Sequence, residues 1–113
     1  MVPKQELQAL AGALKATPEY AAVMRQRKLI LSSPMGAMMQ SFEREHKRLS
    51  ALGMSEKEAE ERFGRLYTIY GSYLSHPTVK EYVRVSQTYD RMVSESIDYL
   101  HNIAAAGGPI VRR

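Results

Sequence analysis

Few residues in this chain are of types that carry chemistry, and they lie far apart. There are three histidines, His46, His76 and His101, and no cysteine. A zinc site on a helix needs ligands about one turn apart, as in H-E-x-x-H, and no such spacing occurs. The lack of cysteine excludes disulfides, and thiolate-held zinc or iron–sulfur clusters, supplied by this chain alone. His46 falls on an apolar helical stripe and reads as a half-buried, hydrogen-bonded side chain. His76 precedes Pro77 and reads as part of a helix junction. His101 lies near a helix C-terminus, where a cation is favoured. Paired carboxylates occur only as Glu60-Glu61 and Glu43/Glu45, inside salt-bridge-rich segments that read as solvated helix faces. There is no glycine-rich phosphate loop and no G-x-S-x-G elbow. The residues thus give no catalytic group and no metal ligand, no cofactor is expected, and the chain reads as a non-enzyme.

Three groups of residues suit binding instead. Arg25, Arg27 and Lys28 form the main basic cluster and are candidate phosphate contacts. On a helix Arg25 and Lys28 share one face, and Arg27 sits nearer another. The formal net charge is +4, but Arg112 and Arg113 stand in the expected tail; without them 14 basic residues face 12 acidic ones, a net +2. Nucleic-acid binding is therefore the second reading, not the first. Met35, Met38, Met39 and Phe42 cluster at helical spacing. Such a group packs a core, or forms an adaptable contact surface, because the thioether chain repacks readily. Tyr67, Tyr70 and Tyr73 stand three apart, with Tyr73 drifting off the stripe beside Leu74; tyrosine is common at interfaces.

The elements that carry these groups are helices. Thr17-Pro18, Ser33-Pro34 and His76-Pro77 each set a proline after a polar residue and before a helical pattern. Proline suits the first turn of a helix and breaks the interior, and the hydroxyl of Thr17 or Ser33 can cap the helix that follows. Segment one runs from about Lys4 to Ala16, with Leu7, Leu10, Ala11 and Leu14 at i, i+3, i+4, i+7 spacing. Segment two starts at Pro18 and runs to about Leu31, with Arg27 in the middle of its apolar seam. Segment three runs from Pro34 to about Leu52, with Gly53 as a C′ residue of positive φ. Segment four opens on the capping box Ser55-Glu56-Lys57-Glu58 and continues to His76. Glu58–Arg62 and Glu61–Arg65 are i, i+4 pairs in the favourable orientation. Segment five starts near Thr78 and continues to about Ala106, with Val79, Tyr82, Val83, Ser86, Tyr89, Val93, Ile97, Leu100 and Ile103 as its stripe. No segment alternates with period two, so no strand is expected.

The expected fold is all-α, an antiparallel bundle of about five helices with a long C-terminal helix. Residues 1–106 form a single helical domain, and 107–113 a flexible tail opening on Gly107-Gly108-Pro109. The last helix, at about 28 residues, spans roughly 42 Å. A compact chain of this size is roughly 34 Å across. The overhang still carries Leu100 and Ile103, and a second subunit is the simplest cover. Met35, Met38, Met39, Phe42, Leu100 and Ile103 are therefore the candidate partner or oligomer interface. Met1-Val2-Pro3-Lys4-Gln5-Glu6 holds no signal-type apolar stretch, and no 18-residue apolar run exists. Neither secretion nor membrane insertion is expected, and a cytoplasmic location is.

The junctions carry a family resemblance. The join Leu14-Lys15-Ala16-Thr17-Pro18-Glu19-Tyr20 is one part of it. Others are Leu29-Ile30-Leu31-Ser32-Ser33-Pro34 leading to a helix with Phe42, and His76-Pro77-Thr78-Val79-Lys80-Glu81-Tyr82 before a long last helix. Together they resemble the YlbF/YmcA-type regulators of bacteria over about residues 4–106. The resemblance implies a small cytoplasmic helical protein without catalysis of its own. It implies dimers or larger complexes with paralogues and an unrelated third subunit, acting in competence, sporulation and biofilm formation. It also implies a link to messenger-RNA processing by a membrane-associated endoribonuclease. Some complexes of the family carry iron–sulfur clusters through cysteines, a feature this cysteine-free chain does not share. The expected function is an oligomeric interaction and regulatory adaptor, with homo-oligomers, paralogous regulators or a ribonuclease complex as partners. The alternative is a nucleic-acid-binding helical module that uses Arg25, Arg27 and Lys28.

Overall fold

Side chains at the junctions set where the helices begin. In the computed structural model, which describes residues 1–106, the Thr17 hydroxyl donates to the Leu14 carbonyl at 2.6 Å and accepts the Tyr20 N–H at 3.3 Å. It thus closes one helix and opens the next. The Ser33 hydroxyl does the same, donating to the Ile30 carbonyl at 2.7 Å and accepting the Met35 N–H at 3.1 Å. Ser55 accepts the Glu58 N–H at 3.2 Å, the backbone half of a capping box. His76 caps the last helix, its Nδ1 accepting the Thr78 N–H at 3.2 Å.

Six helices result among the described residues, with no strand: α1 Lys4–Lys15, α2 Pro18–Leu31, α3 Gly36–Ser50, α4 Glu56–Ile69, α5 Gly71–Ser75 and α6 Pro77–Ala106. The fold is all-α, with α6 at 30 residues, about 45 Å of helix. No described helix is long and apolar enough to cross a membrane. The expected tail over 107–113 lies outside the described residues.

Three details correct the sequence reading. Segment four is two helices, because the backbone breaks at Tyr70 (φ −97°, ψ 23°) before Gly71, a poor helix former. The helix restarts as α5, and Tyr73 takes the core position while Leu74 is only half-buried. Gly53 is not in the left-handed region; α3 ends instead on Ala51, whose N–H reaches the Lys47 carbonyl at 3.1 Å, while the Leu52 N–H reaches the Leu49 carbonyl at 3.1 Å. The Glu58–Arg62 pair forms, at 3.7 Å, but Glu61 and Arg65 have no ion-pair partner among the described residues.

The described chain sorts into two units: Met24–Val83 is one, and Met1–Val23 with residues 84–106 is the other. In the Met24–Val83 unit, Ile30, Met39, Tyr73 and Val79 form a buried cluster, with Met35, Met38, Phe42, Tyr70, Leu74 and Tyr82 packed against it. Gly36 permits this packing, since a Cβ there would stand 2.7 Å from the Leu31 carbonyl oxygen. The second unit is thinly filled. Val85 is its one buried hydrophobic residue among those described, and α1 buries none. Tyr20 and Tyr89 pack there with ring centroids 5.4 Å apart.

Gly36→Ala is expected to destabilise the chain by about 1–3 kcal/mol, because the obstacle is backbone and cannot rotate away. Gly12, in α1, has nothing within 4 Å of an added Cβ, so Gly12→Ala should instead be neutral or stabilising by up to about 1 kcal/mol. Urea midpoints of the two variants check both signs.

Candidate interaction surfaces

Arg27 lies in the apolar seam of α2, and the fold supplies its counter-charge. Its Nη1 donates to Glu43 Oε2 on α3 and approaches Tyr82 Oη on α6 at 3.4 Å. Three helices of the Met24–Val83 unit meet at one guanidinium. The bond to Glu43, then the contact with Tyr82, raises the Arg27 pKa above its ordinary value and outweighs the opposing effect of burial. The group is therefore a structural cation, already paired. Of the three candidate phosphate contacts, Arg25 and Lys28 are exposed and Arg27 is engaged, so the structure does not present the three as one free patch.

The candidate interface residues also part company. Met39 is 0% exposed, inside the core of its own chain, and Met35, Met38 and Phe42 are half-buried against that core. Phe42 is the centre of an aromatic cluster. Its ring lies 5.4 Å from Tyr70, edge-on, 5.7 Å from Tyr73 and 6.2 Å from Tyr67. His46 joins the cluster between Phe42 at 5.7 Å and Phe63 at 5.0 Å. Ring pairs at these separations add to area burial. The three tyrosines at i, i+3 spacing are thus used within the chain, although Tyr67 keeps an exposed side. Among the described residues no group of three or more His, Asp or Glu side chains could hold a metal ion.

Leu100 and Ile103 are differently placed. The α6 stripe is buried at Val79 and half-buried at Tyr82, Ser86, Tyr89 and Val93. Beyond Ser96 the cover stops: Ile97 is 55% exposed, Tyr99 70%, Leu100 46% and Ile103 50%. Periodicity pointed to this stretch. It could not show that the methionines fill the chain's own core, because a helical stripe looks the same whether its cover is internal or external. Sequence also missed the Arg27–Glu43 pair. Its one signal was a lone cation within an apolar seam, which demands a counter-charge.

No family model, curated protein or solved structure matches the chain.

Arg27→Met should cost about 1–3 kcal/mol, between the ranges for surface and fully buried pairs, because Glu43 loses its partner in a half-buried setting. The double variant Arg27→Met/Glu43→Leu should cost less than the sum of the singles, as a double-mutant cycle in urea would show. A pH effect follows at Tyr73. Burial above all, then the negative charge of Glu43, pushes its hydroxyl up to about 12 from the ordinary 10, with Arg27 opposing. The unfolded chain loses this proton first, so the contribution is whole below pH 10 and is lost as pH rises toward 12. Tyr73→Phe should remove that part of the alkaline decline. Parallel declines in variant and wild type would place its origin elsewhere.

Proposed function

We propose that the chain is a non-catalytic, oligomeric interaction protein, a regulatory adaptor of the kind that its YlbF/YmcA-like junction pattern implies. The observation that carries this reading is the uncovered end of α6. Contiguous apolar exposure of this kind marks contact sites more often than solvated surface. α1 supports it. A helix of 12 residues is near the length at which isolated helices are marginal in water, yet α1 buries no residue. Its Leu7 is exposed, with Leu10 and Leu14 half-buried.

The first partner on this reading is a second copy, because the same uncovered stripe is present on each chain. A twofold contact would satisfy both at once. Paralogous regulators, a ribonuclease complex and a cytoplasmic setting belong to the same proposal through the resemblance. The paired state of Arg27 weighs against direct phosphate contact by Arg25, Arg27 and Lys28 as the main activity.

Sedimentation across concentration tests the reading. The wild type should be a dimer or larger at tens of micromolar. The variant Leu100→Asp/Ile103→Asp should stay helical and dissociate, with affinity down about tenfold or more, since it sets charge in an apolar contact. A wild type that is strictly monomeric, or variants with unchanged mass, would refute it. RNA binding that falls steeply with salt and is lost in Arg25→Glu/Lys28→Glu would favour the nucleic-acid alternative.

A further inference from the structure

We propose that the outward face of α4 forms a second, antiparallel contact between two copies of this chain. This rests on the oligomeric reading above and adds a contact distinct from the end of α6. Lys57, Glu61, Gly64, Arg65, Thr68 and Ile69 lie along an open groove of about 830 Å³ on that face. Several of these residues are unexplained by the chain's own fold.

Glu61 and Arg65 stand at the spacing that favours pairing along one helix, yet neither has an ion-pair partner among the described residues. Gly64 sits between them in the helix interior, where glycine weakens a helix relative to alanine. Its backbone needs no positive φ, and an added Cβ would meet nothing within 4 Å, so neither a turn nor internal packing calls for it. A second helix approaching across that notch would. Ile69, one turn beyond Arg65, is 74% exposed, more than any other large apolar side chain among the described residues except Met1.

The order of charge selects the partner. Along this face of α4 the charges run Lys57, then Glu60 and Glu61, then Arg65. Two such helices side by side in parallel would oppose like charges. An antiparallel pair about a twofold axis level with Phe63 sets Arg65 of each copy beside Glu61 of the other. The same register brings the aliphatic stem of Lys57 of one copy over Ile69 of the other. Every contact occurs twice, as an isologous interface requires. A single-stranded nucleic acid fits the face less well, because its acidic residues repel phosphate and the groove has no ring on which a base could stack.

Contacts of this type fix register and partner choice, and they weaken with salt. With the α6 contact in place, the α4 contact should carry the chain beyond a dimer at low ionic strength. Sedimentation velocity of the full chain at tens of micromolar reads this directly. Glu61→Arg alone and Arg65→Glu alone should each weaken the higher species about tenfold or more and leave a dimer. The double variant Glu61→Arg/Arg65→Glu should restore it. So should an equal mixture of the two single variants, in which a chain basic at both positions meets a chain acidic at both. A wild type that stops at a dimer, single variants without effect, or a double variant no better than the singles would overturn the α4 contact and leave the α6 contact standing. An α4-dependent dimer that persists in Leu100→Asp/Ile103→Asp, with no loss of mass there, would do the reverse. A strictly monomeric wild type would overturn both.

Discussion

The Arg27 guanidinium is the constraint around which the Met24–Val83 unit is arranged. A charge in an apolar seam is costly unless it is met, and here Glu43 of α3 meets it while Tyr82 of α6 stands close by. Satisfying it fixes the facing of α2, α3 and the start of α6. That facing brings Ile30, Met39 and Val79 together and closes them with Tyr73. Burial above all, and then the Glu43 carboxylate, makes Tyr73 hard to ionise, while Arg27 opposes that shift. Gly36 then sets how near α3 can begin to the end of α2. Electrostatics gives this unit its arrangement, and apolar burial gives it its stability.

Among the described residues, the unit formed by Met1–Val23 and residues 84–106 has no comparable centre. Its packing rests on Val85 and on the Tyr20–Tyr89 pair, and no described residue of α1 is buried. Helices this short owe most of their stability to tertiary packing and not to propensity. If the chain associates as proposed, the apolar stripe at the end of α6 is the surface on which a second copy would fit. In that view the two units differ in role: one folds on its own contacts, and the other is completed by association.

Much of the architecture was legible in the sequence because its signals are local. Thr17-Pro18, Ser33-Pro34, Ser55 and His76-Pro77 act through hydrogen bonds three residues away or fewer, and each marks a helix start in the structure. The break at Tyr70 was not legible, since the hydrogen bonds from the Tyr70 N–H to Leu66 and from the Leu74 N–H to Tyr70 keep a helical spacing across it. Glu61–Arg65 shows the limit of pair rules. Spacing sets Glu61 and Arg65 on one helix face, but it does not say whether they meet each other or a partner outside the helix. The roles of Met35, Met38, Met39 and Phe42 depend on which helix packs over α3, which is long-range information. Leu100 and Ile103 were legible as a stripe for the same reason that the methionines were ambiguous: periodicity names a face, and only the fold shows whether that face is covered.

Amide hydrogen exchange of the full chain, followed at two concentrations, tests this division of roles most directly. In dilute solution, amides around Ile30, Met39 and Val79 should be strongly protected, while those of α1 and of α6 beyond Ser96 exchange orders of magnitude faster. Raising the concentration should protect the second group and leave the first unchanged. Equal protection of both groups in dilute solution, or fast exchange at the end of α6 that no concentration slows, would contradict a unit completed by association.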